Sequence, residues 1–253
     1  MTKRKLDTNG VPENGFFFRE SDHMYFFDGK PMTGVTTVLN VLAKPALIQW
    51  AANEAIKYVF ENGVEKDTDF ILISKESLGE ARTAHAKKRD KAAEQGTDIH
   101  SILEGIIKEA IEKHEGFLVA QTISDNSQVQ KFLDWGLENK VKFLESERKL
   151  YSSQHFFAGT VDFTCEIEGR RYVGDIKTTS GIYDLTPFLQ AGAYRLMLTE
   201  MGEPEFLGTI IVRLGKDGSF EVKERIHSEN RDGETFLHAL VLYREMEDYK
   251  VNK

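Results

Sequence analysis

The residues best suited to chemistry stand in one stretch. It runs Gly159-Thr160-Val161-Asp162, then eight residues to Arg170, then Arg171-Tyr172-Val173-Gly174-Asp175-Ile176-Lys177-Thr178-Thr179. Asp175 and Lys177 lie two apart, so on a strand their side chains share a face. Asp162 precedes Asp175 by 13 residues, the odd separation with which an even-length hairpin loop turns cross-strand partners the same way. A Glu168-Gly169 loop sets Asp162 opposite Asp175; a Gly169-Arg170 loop sets it opposite Lys177. Either register gathers all three side chains, and only an odd loop or a bulge separates them.

Opposed residues have Cβ atoms roughly 4.5–5.5 Å apart, and carboxylates that close repel unless a cation lies between them. Mg²⁺, with oxygen ligands at about 2.0–2.1 Å, fits such a gap and keeps other positions for water or phosphate oxygens. It can polarise a phosphoryl group and acidify a bound water. Lys177 on the same face can orient the hydroxide or stabilise charge on the phosphoryl oxygens. An isolated D-x-K is far more often a solvated strand with paired charges. Here Val161, Phe163, Val173 and Ile176 are apolar and β-prone, which predicts a central hairpin, where charges need a reason.

Two helical patterns flank the hairpin. Gly96-Thr97-Asp98-Ile99-His100 follows an expected helix break at Gln95-Gly96, with Thr97 placed to cap and Ile99, Leu103 and Ile106 forming a core stripe. His100 and Glu104 are i, i+4 and share a neighbouring face, although a lone histidine there is more often structural. Downstream, Thr186 as cap and Pro187 at the first helical position open a helix carrying Gln190 and Tyr194, again i, i+4.

Gly-Thr-Val-Asp followed by Gly-Asp-Ile-Lys-Thr-Thr, between a G-T-x-x-H helix and a Q-x-x-x-Y helix in that order, resembles the PD-(D/E)XK nuclease superfamily in its RecB-like exonuclease branch. That branch includes phage and mitochondrial exonucleases and CRISPR adaptation nucleases. The resemblance runs from Gly96 to Tyr194, with fainter matches at His23 and Tyr25, at residues 34–39 and at residues 44–50. It implies a restriction-endonuclease-like α/β core, a mixed central sheet flanked by helices, with a helical N-terminal lobe. It implies a metal-dependent deoxyribonuclease hydrolysing DNA ends or single strands in recombination, repair or phage DNA processing, in the cytoplasm of a bacterial or phage-infected cell. Asp162, Asp175 and Lys177 take the catalytic positions. His100, Asp162, Asp175 and the Ile176 backbone carbonyl take the metal positions, for Mg²⁺ or Mn²⁺; imidazole makes Mn²⁺ as suitable as Mg²⁺. Glu104 and Glu147 are further candidates for the metal shell. Gln190, Tyr194 and Thr178, with the basic run Lys87, Lys88 and Arg89, are the DNA-positioning candidates, although a solvated helix face is the commoner use of such a run. The competing class is a catalytically silent, nuclease-like module that binds or recruits DNA.

Composition bounds the rest. One cysteine, Cys165, excludes an intrachain disulfide and an iron–sulfur cluster of the four-cysteine kind that some relatives carry. A net charge of −8 argues against a protein that coats DNA through a broad basic surface, though not against a local basic groove. The longest apolar runs are too short to cross a bilayer, no apolar stretch follows the N-terminal basic residues, and no membrane partner is expected. Residues 1–15 read as a polar tail and residues 16–253 as a single domain, with a mainly helical lobe over 16–140 and an α/β core over 141–253. Helices are expected from Thr36 as cap to near Pro45, over residues 46–58, 77–113, 127–139 and 233–249, and from Thr186. Strands are expected over 16–18, 24–27, 142–151, 159–167, 171–177, 206–214 and 220–225.

Overall fold

A computed structural model describes residues 10–67, 70–226 and 229–251; of the expected tail, residues 1–9 lie outside them. Strands β1 (Phe16–Arg19), β2 (Met24–Phe27) and β3 (Lys30–Pro31) form a small antiparallel sheet, followed by β4 (Thr33–Gly34) and α1 (Val35–Leu39). Next come α2 (Pro45–Asn62), β5 (Val64–Asp67), β6 (Phe70–Leu72), α3 (Lys75–Ala81), α4 (Ala84–Lys113) and α5 (Ser127–Glu138). The chain ends with β7 (Lys142–Ser152), β8 (Phe157–Ile167), β9 (Arg170–Lys177), α6 (Thr186–Glu200), β10 (Gly208–Leu214), β11 (Phe220–Ile226) and α7 (Arg231–Val251).

The described residues divide into two units. Those up to Leu42 and from Ser101 onward form the first; Ala43–His100 forms the second. In the second unit, α2 meets α3 and α4 through Tyr58 with Glu80 and through Lys88 with Glu54.

The first unit is built on a mixed six-stranded sheet in the order β11-β10-β9-β8-β4, with β7 also paired to β8. β9 and β10 are parallel, joined by α6 as the crossover; β7–β8, β8–β9 and β10–β11 are antiparallel. β7 pairs with β8 from Phe157 to Glu166, so β4, at Phe157 and Ala158, and β9, from Phe163 onward, share the other edge. Residues 159–162 of β8 pair with neither, and the sheet splits there.

The two faces of β9 hold different chemistry. A Cβ on Gly174 would lie 2.1 Å from the Phe163 ring, so only glycine lets that ring cross the strand. Phe163 packs with Phe132 of α5 and with Phe143. Asp175, one residue on, must face the other way, toward α6, where Lys177 meets Gln190. On that side Val173, Ile211, Phe188, Leu189, Met197 and Phe236 belong to the main core under α6 and α7.

Three helix starts differ from the sequence reading. α4 runs unbroken through Gln95-Gly96, and Thr97 Oγ1 donates to the Ala93 carbonyl instead of capping. One glycine costs a helix only about 1 kcal/mol relative to alanine, which strong helix formers such as Ala92, Ala93 and Glu94 offset. Thr36 lies inside α1, whose N-cap is Gly34, and α1 stops at Leu39, short of Pro45. α6 has Leu185 as N-cap, and Asp184 Oδ1 accepts the Thr186 amide hydrogen, so an aspartate two residues earlier takes the threonine's expected role. Among the described residues no helix is long and apolar enough to cross a membrane.

Candidate active site

The hairpin turn decides which side chains meet. Glu168 and Gly169 both have positive φ, +51° and +76°, as in a two-residue type I′ turn that matches strand twist. Pairing starts at Ile167 with Arg170 and reaches Phe163 with Gly174. One step further in that register sets Asp162 opposite Asp175, the first of the two alternatives. On the other edge Ser146 pairs with Phe163 and Arg148 with Val161, so Glu147 stands at the position opposite Asp162. Glu147, Asp162 and Asp175 thus form a row across β7, β8 and β9.

Glu147 holds this position at φ +52°, a left-handed conformation uncommon for a residue with a Cβ. Such a conformation costs of order 1–3 kcal/mol and survives where the surroundings impose it. Asp162 Oδ2 accepts the backbone N–H of Ile176 at 2.7 Å, which ties β8 to β9 at the split. Lys177 Nζ lies 2.7 Å from Asp175 Oδ1 and 2.6 Å from Oδ2, and donates to Gln190 Oε1 at 3.2 Å. Gln190 Nε2 donates in turn to the Tyr194 hydroxyl at 3.0 Å. An unbroken polar chain therefore runs from fully buried Asp175 through Lys177 to the α6 pair.

Burial is the largest single influence on Glu147, Asp162, Lys177 and Tyr194. Burial pushes the Asp162 carboxyl above its ordinary range, against the pull of Lys177 and of the Ile176 N–H. Burial, then the charges of Asp162 and Glu104, push Glu147 up to about 7. Burial alone would lower Lys177, but Asp175 and Asp162 outweigh it and raise the ammonium above its usual value. Tyr194 is held well above the phenol range by burial and by the charge of Asp162.

Among the described residues no three His, Cys, Asp or Glu side chains are grouped closely enough to enclose an ion. The donor set nevertheless fits a hard divalent cation chemically, because its oxygens are carboxylates whose mutual repulsion a dication would relieve. Glu104 contributes charge to this row while pairing with Lys108 one turn on.

The remaining candidates stand on other elements. His100 is half-buried on α4, the last residue of the second unit. Thr178 follows the end of β9, half-buried. Lys87 faces Glu80 at 3.7 Å, Lys88 faces Glu54 at 2.6 Å and Arg89 faces Asp90 at 2.8 Å, so the basic run is answered carboxylate by carboxylate.

A cavity of about 270 Å³ was not foreseen. The β1–β2 hairpin walls it with Phe18, His23 and Tyr25, and β8 contributes Thr160, whose hydroxyl is 2.9 Å from that of Tyr25. Glu147, Gln190 and Tyr194 line it too, so it opens onto the carboxylate row. The sequence held two signals for it: Lys149 alternates with Glu147 on one strand, and His23 and Tyr25 share a strand pattern. Arg213, the β10 partner of Lys177, was missed as well; its guanidinium reaches Glu221 and the carbonyls of Thr179 and Ser180, holding the segment that leaves β9.

No family model and no curated protein matches the chain. Among solved structures the chain is similar to "Crystal structure of SSO0001", at 13% identity over 78% of this chain and 86% of that one, with a TM-score of 0.35.

Proposed function

We propose that the chain is a metal-dependent DNA nuclease of the PD-(D/E)XK kind with a restriction-endonuclease-like core, acting as an exonuclease on DNA ends or single strands. The observation that carries this reading is the row Glu147–Asp162–Asp175 with Lys177 bridging Asp175 to Gln190. Charged groups cost energy in the middle of a sheet, and here three carboxylates follow one another at register positions across three strands, beside a cavity.

Asp162, Asp175 and Glu147 supply oxygens that would hold Mg²⁺ or Mn²⁺, and the sequence pattern adds His100 and the Ile176 carbonyl. The ion, when bound, polarises a phosphoryl oxygen and makes a nucleophile of water. Lys177 stays protonated across the neutral range, so its role is a fixed positive charge and donor toward the phosphoryl group, not a base. Gln190 and Tyr194 keep that ammonium oriented, and Tyr194 remains a neutral phenol.

The test is degradation of end-labelled single-stranded and duplex DNA in Mg²⁺, Mn²⁺ or EDTA, with Lys177→Ala as control. Metal-dependent cleavage that the mutant lacks supports the reading, and the product ladder gives polarity. The competing reading is a catalytically silent module that binds or recruits DNA. Folded protein that binds DNA yet cuts nothing with either metal would establish that alternative.

A further inference from the structure

The cavity between the β1–β2 hairpin and the split in the sheet has no part in the chemistry described so far, yet it shares Glu147, Gln190 and Tyr194 with it. Its far wall is aromatic. Phe18 and Tyr25 have ring centroids 4.8 Å apart, and His23 meets Phe18 edge-on at 5.7 Å. Lys149 Nζ lies over the Phe18 ring, 5.2 Å from its centroid. The hydroxyls of Tyr25 and Thr160 meet within the lining. Flat rings, an ammonium and hydroxyl donors at the mouth of a phosphodiester-cleaving site match a base, a phosphate and a sugar or base edge.

Resting on the nuclease reading, we propose that this cavity receives the base of one unpaired nucleotide beside the bond to be cut. Single-stranded DNA or a frayed end is then the substrate. Size supports the choice. About 270 Å³ falls just below the range of about 300–1,000 Å³ typical of sites that enclose a drug-sized ligand, so it accepts one base with its sugar. It cannot admit a duplex, whose major groove alone is about 12 Å wide. The base stacks against Phe18 and Tyr25, a contact indifferent to base identity because every base has a π-face. Lys149 holds the adjoining phosphate, a local positive charge that a chain of net charge −8 does not supply in bulk.

The experiment moves a single 2-aminopurine or abasic residue along a single-stranded oligonucleotide. Binding is read by 2-aminopurine fluorescence in EDTA and cleavage is read separately in Mg²⁺ or Mn²⁺. The proposal expects one position at which 2-aminopurine is quenched on binding and at which an abasic residue weakens binding about 5- to 150-fold, the range one stacked base supplies. Phe18→Leu, which keeps apolar bulk but removes the ring, should abolish that quenching; Tyr25→Phe tests the hydroxyl separately and leaves the ring. Equal sensitivity at every position, or blunt duplex bound as tightly as single strand, overturns the proposal. Because binding is read without metal, position-specific quenching with no cleavage would reject the nuclease reading while retaining the base pocket. Cleavage without position-specific quenching would do the reverse.

Discussion

The β8–β9 hairpin and the first turns of α4 are both rich in charge, and the molecule treats them in opposite ways. On α4, Lys87, Lys88 and Arg89 are more than half exposed, and each stands beside a carboxylate, where water and salt screen the pairs. On β9, Asp175 is fully buried, and its ammonium partner is 24% exposed. The residue types are alike, but burial turns one group into a solvated face and the other into a centre whose energetics depend on every partner. What separates a site from a surface here is the dielectric around the charges, and their number decides nothing.

The contrast can be broken most severely from the apolar side of β9. Phe163→Ala removes the ring over Gly174 and should cost about 3–5 kcal/mol, read by urea unfolding, with or without metal. A cost below about 1 kcal/mol would mean that the aromatic face does not hold the hairpin. Lys177→Met leaves the Asp175 carboxylate without its ammonium. In EDTA it should cost about 3 kcal/mol, the lower end of the range for breaking a buried pair, given the lysine's remaining exposure. The same change should lower cleavage about 10²- to 10³-fold, the scale for losing one oriented donor. Smaller again is the metal effect. Mg²⁺ or Mn²⁺ at about 100 times its dissociation constant should stabilise the wild type by about 2.7 kcal/mol, and Asp162→Asn should abolish most of the corresponding rise in melting temperature. The least effect belongs to α4. Lys87→Ala, Lys88→Ala and Arg89→Ala should each change stability by about 0.5 kcal/mol or less. A large loss of DNA binding in these three would restore them as a phosphate track.

Much of the hairpin was legible because its information is local. Alternation placed Asp162, Asp175 and Lys177 together, β-prone neighbours marked the strands as central, and the turn had only two even-length solutions. The i, i+4 spacing of Gln190 and Tyr194 likewise became a direct hydrogen bond. Only pieces of the cavity were legible, in the alternations of His23 with Tyr25 and of Glu147 with Lys149; their meeting was not, since Tyr25 and Thr160 come together across 135 residues. The left-handed Glu147 was hidden too: its register opposite Asp162 follows from an irregularity in the β7–β8 ladder between Phe143 and Glu145, which sequence alternation cannot reveal. Thr36, Thr97 and Thr186 were read as caps because threonine is a frequent cap. Each helix start was settled by its surroundings instead: Gly34 at the end of β4, a continuous α4, and Asp184 beside Thr186.

Glu168 and Gly169 touch neither the carboxylates nor the cavity, yet they act as the ratchet that times the whole hairpin. A strand displaced by one residue presents its opposite side. A single-residue insertion at this turn could therefore deliver the Gly174 notch to α6 and carry Asp175 and Lys177 toward the phenylalanines. An outlying loop, ordinarily the place where evolution can add length freely, is here as intolerant of length change as the core, while its residue identities need only permit two consecutive left-handed conformations.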